Sequence, residues 1–174
     1  LEEFKKFDIK GKKIGLPKEY FSDKLDSKMA DRIKEVIASV EAKGATIEEV
    51  SLPLTEYCLA VYYIIMPAEA SSNLGRFDGI RFNMSDRSEQ KLESIYNNTR
   101  TKGFGDEVRR RLMLGAYVLS SGYYDAFYGK AQKVRQMIQK EFAEAFSNVD
   151  FLVTPTAPTT AFEIGGNENP IDMY

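Results

Sequence analysis

Apolar positions return at helical spacing from Val108 onward, with Val108, Leu112, Gly115, Val118 and Leu119 on one face of a helix starting near Asp106. Arg111 falls among them, whereas Arg109 and Arg110 point elsewhere. A guanidinium on a core-facing stripe must find an acceptor or forfeit its hydration. Its partner is therefore either an internal carboxylate or a bound one, and these residues leave both open. Earlier in the chain, Lys13 to Leu16 is a short apolar run between Gly11 and Pro17, which suits a buried strand. Met29, Ile33, Val36, Ile37 and Val40 predict a helix with Asp26 or Ser27 as N-cap and Gly44 as its stop. Thr46 to Leu52 is β-branched and ends at Pro53, completing a strand, helix, strand order in which parallel pairing is the default.

The stretch from Glu56 to Arg76 reads as a helix interrupted or kinked near Pro67, with a second helix starting at Ala68. Arg76 to Ser88 has no sustained period and reads as a loop. Glu89 to Thr101 carries a modest stripe of Leu92, Ile95, Tyr96 and Thr99, and Phe104 sits in a turn between Gly103 and Gly105. A bend is expected near Ser121 and Gly122. Beyond it Phe127, Ala131, Val134, Ile138, Phe142, Ala145 and Phe146 keep the apolar period of a long helix and read as core. Val149 to Val153 is a final buried strand ending among prolines. The chain reads as one domain over residues 1–174, α/β in class, with a few-stranded, mostly parallel sheet covered by helices.

Composition removes whole classes of chemistry. The 174 residues contain no histidine, which excludes histidine-assisted serine or cysteine catalysis and every histidine-containing metal site. No metal site is expected in this chain. The single cysteine, Cys58, permits no intrachain disulfide and reads as a small buried hydrophobe. A formal net charge of −2 offers no footprint for nucleic acid or an anionic membrane. No apolar run reaches the ~20 residues of a spanning helix, and LEEFKKFDIKGKK lacks a secretory apolar region. A cytoplasmic protein with no membrane partner is the expectation.

Serine pairs at Ser71-Ser72 and Ser120-Ser121, and Ser85, invite a nucleophile reading, but without histidine the base would have to be a lysine or carboxylate in a desolvated pocket, and helix packing explains the pairs. No phosphate loop of the GxxxxGK type occurs. Glu48 and Glu49 alternate across a strand and do not suit joint acid and base work. Tyr62 and Tyr63 either line a pocket or form an amphipathic core edge. No complete catalytic set emerges from the residues.

The strings YYIIMPAEASSNLGRFDGIRF, TKGFGDEVRRRLMLGAYVLSSGYYDAFYGKAQKVR and FLVTPTAPTTAFEIG closely resemble the A subunits of bacterial glutamyl-tRNA(Gln) amidotransferases, within the amidase signature superfamily. The resemblance runs almost end to end. It implies a partial amidase-signature fold and a heterotrimer with subunits B and C, in which the A subunit hydrolyses glutamine. Ammonia then reaches a partner subunit that uses ATP and Mg to activate the glutamyl group of Glu-tRNA(Gln), so the parent is a C–N bond-forming ligase with amidase activity. The family's lysine, serine, serine triad lies in a glycine- and serine-rich signature that this sequence does not contain. The chain thus resembles the later half of the A subunit, holds no cofactor of its own and is expected inactive alone. By the same resemblance Arg111 matches the residue that holds the α-carboxylate of glutamine, and Tyr62 a tyrosine near the substrate. The family's acidic partner for the substrate amino group falls beyond Tyr174. Left open are a carboxylate-binding or protein-interaction domain without catalytic role, and another amidase-signature hydrolase.

Overall fold

The computed structural model of the chain describes residues 7–78, 80–82, 84–164 and 166. Their contacts gather into two compact units, one of residues 1–56 with 137–174 and one of residues 57–136.

The first unit is built on a three-stranded parallel sheet, β1 (Lys13–Pro17), β2 (Thr46–Val50) and β3 (Phe151–Leu152), in the order β2-β1-β3. Ile14 stands opposite Ile47 on one side and Phe151 on the other, which places the apolar run of β1 in the sheet centre. Gly15 belongs there because a Cβ would meet Leu152 Cδ2 at 2.8 Å and Val50 Cγ1 at 3.0 Å, so neighbouring side chains fill the space above it. Between β1 and β2 runs α1 (Ser27–Ala42), capped as the sequence predicts: the Asp26 carboxylate accepts from the Met29 N–H at 3.1 Å. Gly44, at φ +93°, ends the helix and receives the Gly11 N–H at its carbonyl. β3 is shorter than Val149 to Val153, although both of its flanks still bond to β1, with the Val153 N–H donating to Gly15 O. The Asp150 N–H donates to Lys13 O and its carboxylate accepts from the Lys13 N–H, while Val149 is buried beside the ladder.

The second unit is helical. α2 (Cys58–Leu74), α3 (Leu92–Gly103) and α4 (Asp106–Val118) precede a π-helical turn at Tyr124–Gly129 that leads into α5 (Lys130–Phe146), whose residues from Met137 belong to the first unit. α2 does not stop at Pro67. The helix continues through it to Leu74, a correction to the interruption read from sequence. Pro67 is fully buried against Gly115 of α4, and that packing offsets the one backbone bond a proline removes. Gly122, at φ +91°, provides the expected bend after α4. The stripe expected as core is less covered than its period suggests. Ala131 is buried, but Phe127 and Phe146 are exposed, and Cys58 is half-buried at the head of α2. Phe127, Ala131 and Val134 line an apolar cleft of about 280 Å³ opposite Val61 and Ile64.

Among the described residues no helix is long and apolar enough to cross a membrane. The loop before α3 is clasped to it at Asp86, whose N–H donates to the buried Thr99 hydroxyl at 2.9 Å and whose carboxylate meets Lys102 Nζ at 2.5 Å and the Ser88 N–H at 2.9 Å. The Lys102 ammonium, and then the Ser88 donors, hold the Asp86 carboxyl well below the usual carboxylate range. A depressed acid stabilises above its unfolded value near pH ~4 and loses that contribution as pH falls toward the folded value. Amide exchange corrected for intrinsic rates should show Ser88 protected at pH 7, released only in strong acid, and released at all pH values in Asp86→Ala. Equal Ser88 protection in the two proteins at pH 7 would contradict the clasp.

Candidate functional site

In the second unit the approach of α2 to α4 is set by Gly115. A Cβ there would stand 2.0 Å from Pro67 O and 2.7 Å from Ser71 Cβ, so only a glycine lets the backbones come this close. One helical turn before Gly115 lies Arg111; Met66 directly precedes Pro67, and Tyr62 lies one turn before Met66. Close helix contact at the glycine therefore brings the arginine head onto the tyrosine. Arg111 Nη1 donates to the Tyr62 hydroxyl at 3.1 Å and lies 3.8 Å from Met66 Sδ.

The Arg111 side chain is 23% exposed, consistent with its place on the half-buried stripe beside Leu112 and buried Val118. Its Nε donates to Glu107 Oε1 at 2.6 Å, an i,i+4 pair along α4. Glu107 also receives Arg110, through Nε to Oε2 and Nη2 to Oε1, both at 2.9 Å. Arg109 pairs with Asp106 instead. Of the three guanidiniums in this turn the most enclosed is Arg111.

That crowding shows in the acid. Arg110 foremost, and then Arg111, draw the Glu107 carboxyl down to about 2, and Glu107 in turn raises Arg110. Glu107 is ionised at any ordinary pH and cannot exchange protons with a reacting group there. The cluster can orient a planar anion through fork-like donors; it is not built to move protons.

The two residues singled out from sequence, Arg111 and Tyr62, are brought together by a hydrogen bond across two helices. Tyr63 stacks edge-on against Tyr62 with ring centroids 5.6 Å apart. Glu107 escapes the sequence reading, although a carboxylate four residues before an inward arginine is a readable signal. The serines stand apart from this cluster. Ser120 Oγ donates to the Tyr117 carbonyl, Ser85 Oγ accepts from Arg87 Nε, and the Ser71 side chain packs toward Gly115. A groove of about 700 Å³ runs along another face of α4, lined by Leu74, Arg100, Phe104, Arg109 and Met113, without Arg111. Its position away from the Arg111, Tyr62 and Glu107 contacts makes it a separate feature. Among the described residues no group of three or more cysteine, aspartate or glutamate side chains is gathered as metal ligands.

The amidase family profile matches residues 1–174. The A subunit of the glutamyl-tRNA(Gln) amidotransferase of Halothermothrix orenii is 55% identical over 169 residues, covering 97% of this chain and 35% of that protein. Its counterpart in Carboxydothermus hydrogenoformans is 54% identical over 168 residues, 96% of this chain and 35% of the relative. Among solved structures, the corresponding A subunit from Thermotoga maritima superposes with a TM-score of 0.65 at 36% identity, covering 95% of this chain and 31% of that one. A second amidase, 22% identical with a TM-score of 0.67, shares the fold. The chain spans about a third of the length of the curated relatives it matches.

Proposed function

The chain belongs to the amidase family, and from that premise we propose that it is a segment of the glutamine-hydrolysing A subunit of a glutamyl-tRNA(Gln) amidotransferase. One observation carries this furthest: 55% identity to such a protein extends over 97% of the chain and includes the helix that bears Arg111. In this assignment the two units are parts of one amidase domain in the cytoplasm, and Arg111 receives the α-carboxylate of glutamine. Tyr62 fixes one terminal nitrogen of the guanidinium, so that the fork meets the carboxylate in a single orientation.

The serine nucleophile and its lysine base belong to a part of the parent protein that is not among these residues. This segment therefore binds and orients. Hydrolysis of the side-chain amide releases glutamate and ammonia, and the ammonia replaces the activated γ-carboxyl oxygen of Glu-tRNA(Gln) in the complex with subunits B and C. ATP and Mg serve that activation on the partner subunit.

Glutamate release from glutamine tests the assignment. The 174-residue chain alone is expected to show no turnover, and the full-length protein in complex with its partners is expected to hydrolyse glutamine. A full-length complex that remains silent would instead favour a domain that binds a carboxylate or a protein without chemistry.

A further inference from the structure

We infer that Glu107 is the positioning residue for the Arg111 guanidinium, an inference that rests on the proposal that Arg111 receives the substrate carboxylate. An arginine head hangs on four rotatable bonds, and rotamer freedom opposes bidentate recognition. Glu107 supplies a fixed point on Nε: its Oε1 accepts from Nε at 2.6 Å, while Tyr62 accepts from Nη1 at 3.1 Å. Two anchors on different nitrogens define both the direction and the plane of the fork. Glu107 cannot swing away, because Arg110 grips both of its oxygens at 2.9 Å. The chain of restraint thus runs from Arg110 through Glu107 to Arg111.

A carboxylate beside the receptor also opposes an incoming carboxylate, so the same residue has two opposed electrostatic and geometric effects. If charge competition dominated, removing Glu107 would tighten glutamine binding. If orientation dominates, as the short Nε contact argues, removing it weakens binding and erodes recognition of the α-carboxylate in particular.

The test uses the full-length protein in its complete complex and compares glutamine with 4-aminobutanamide, the same amide without the α-carboxylate. The ratio of the two kcat/KM values reads recognition of that group alone. Glu107→Ala is expected to lower the ratio about 10-fold, through KM for glutamine and not kcat, with ammonia-dependent transamidation unchanged. Glu107→Gln keeps an acceptor oxygen for Nε and should stay within about 3-fold of the parent. Glu107→Asp keeps the charge but is one methylene short, and should behave like the alanine variant. Added to Arg111→Ala, Glu107→Ala should change the ratio no further. A ratio that collapses in Arg111→Ala but is unmoved or raised in Glu107→Ala and Glu107→Asp would overturn the positioning role while sparing Arg111. A ratio unaffected by Arg111→Ala would instead overturn the carboxylate assignment and the role of Glu107 with it.

Discussion

Replacing Arg111 by alanine in the complete enzyme is expected to reduce kcat/KM for glutamine about 100-fold while leaving ammonia-dependent transamidation within about 2-fold. Each hydrogen bond to a charged group contributes about 1.5–3 kcal/mol, and a fork makes two, so a loss of about 3 kcal/mol is a conservative expectation. At about 1.4 kcal/mol per decade this corresponds to the stated factor. Arg111→Lys retains the charge but not the planar fork, and its ammonium cannot keep both the Glu107 and Tyr62 contacts in the same geometry. It should lose at least about 10-fold. Free ammonia bypasses glutamine hydrolysis, so the split between nitrogen donors separates binding from folding. Equal losses with glutamine and ammonia would mean that the substitution damages the fold.

Gly115→Ala should lower stability by about 3 kcal/mol, toward the upper end for overpacked sites. The added carbon would lie 2.0 Å from Pro67 O and 2.5 Å from its carbonyl carbon. Both are backbone atoms inside α2, so no rotamer change relieves the clash and the helices must separate. For a chain of this size a melting point lower by about 6–12 °C follows. Separation at Gly115 also draws Arg111 from Tyr62 one turn away, so glutamine KM should rise in any variant that still folds. Gly103→Ala is the matched control: nothing lies within 4 Å of its Cβ position, and alanine should be neutral or stabilising by up to about 1 kcal/mol. Coincident melting curves for the Gly115 variant and the parent would contradict the close-approach role.

Features set by local chemistry are legible in the sequence. The Asp26 cap, the Gly44 stop and the β1-α1-β2 order follow from period and turn chemistry, and the parallel α/β expectation is borne out. Pro67 misleads because its local cost is outweighed by burial against a glycine 48 residues later, a tertiary effect that no window contains. The stripe from Phe127 to Phe146 reads correctly as one face of a helix, yet period does not say what covers a face, and its aromatic ends are exposed.

Recognition of the site divides along the same line. Arg111 stands out because a charge on an apolar stripe violates the pattern, and Glu107 lies four residues away in plain view. Tyr62 is 49 positions from Arg111, and although the sequence leaves it between pocket and core edge, only resemblance ties it to Arg111 until the hydrogen bond is seen.

The most direct measurement is the crystal structure of the full-length protein with glutamine bound. The account predicts the α-carboxylate within about 3 Å of the Arg111 terminal nitrogens, with Glu107 still on Nε. A bound glutamine whose carboxylate is held elsewhere, with Arg111 engaged only by Glu107 and Tyr62, would contradict it.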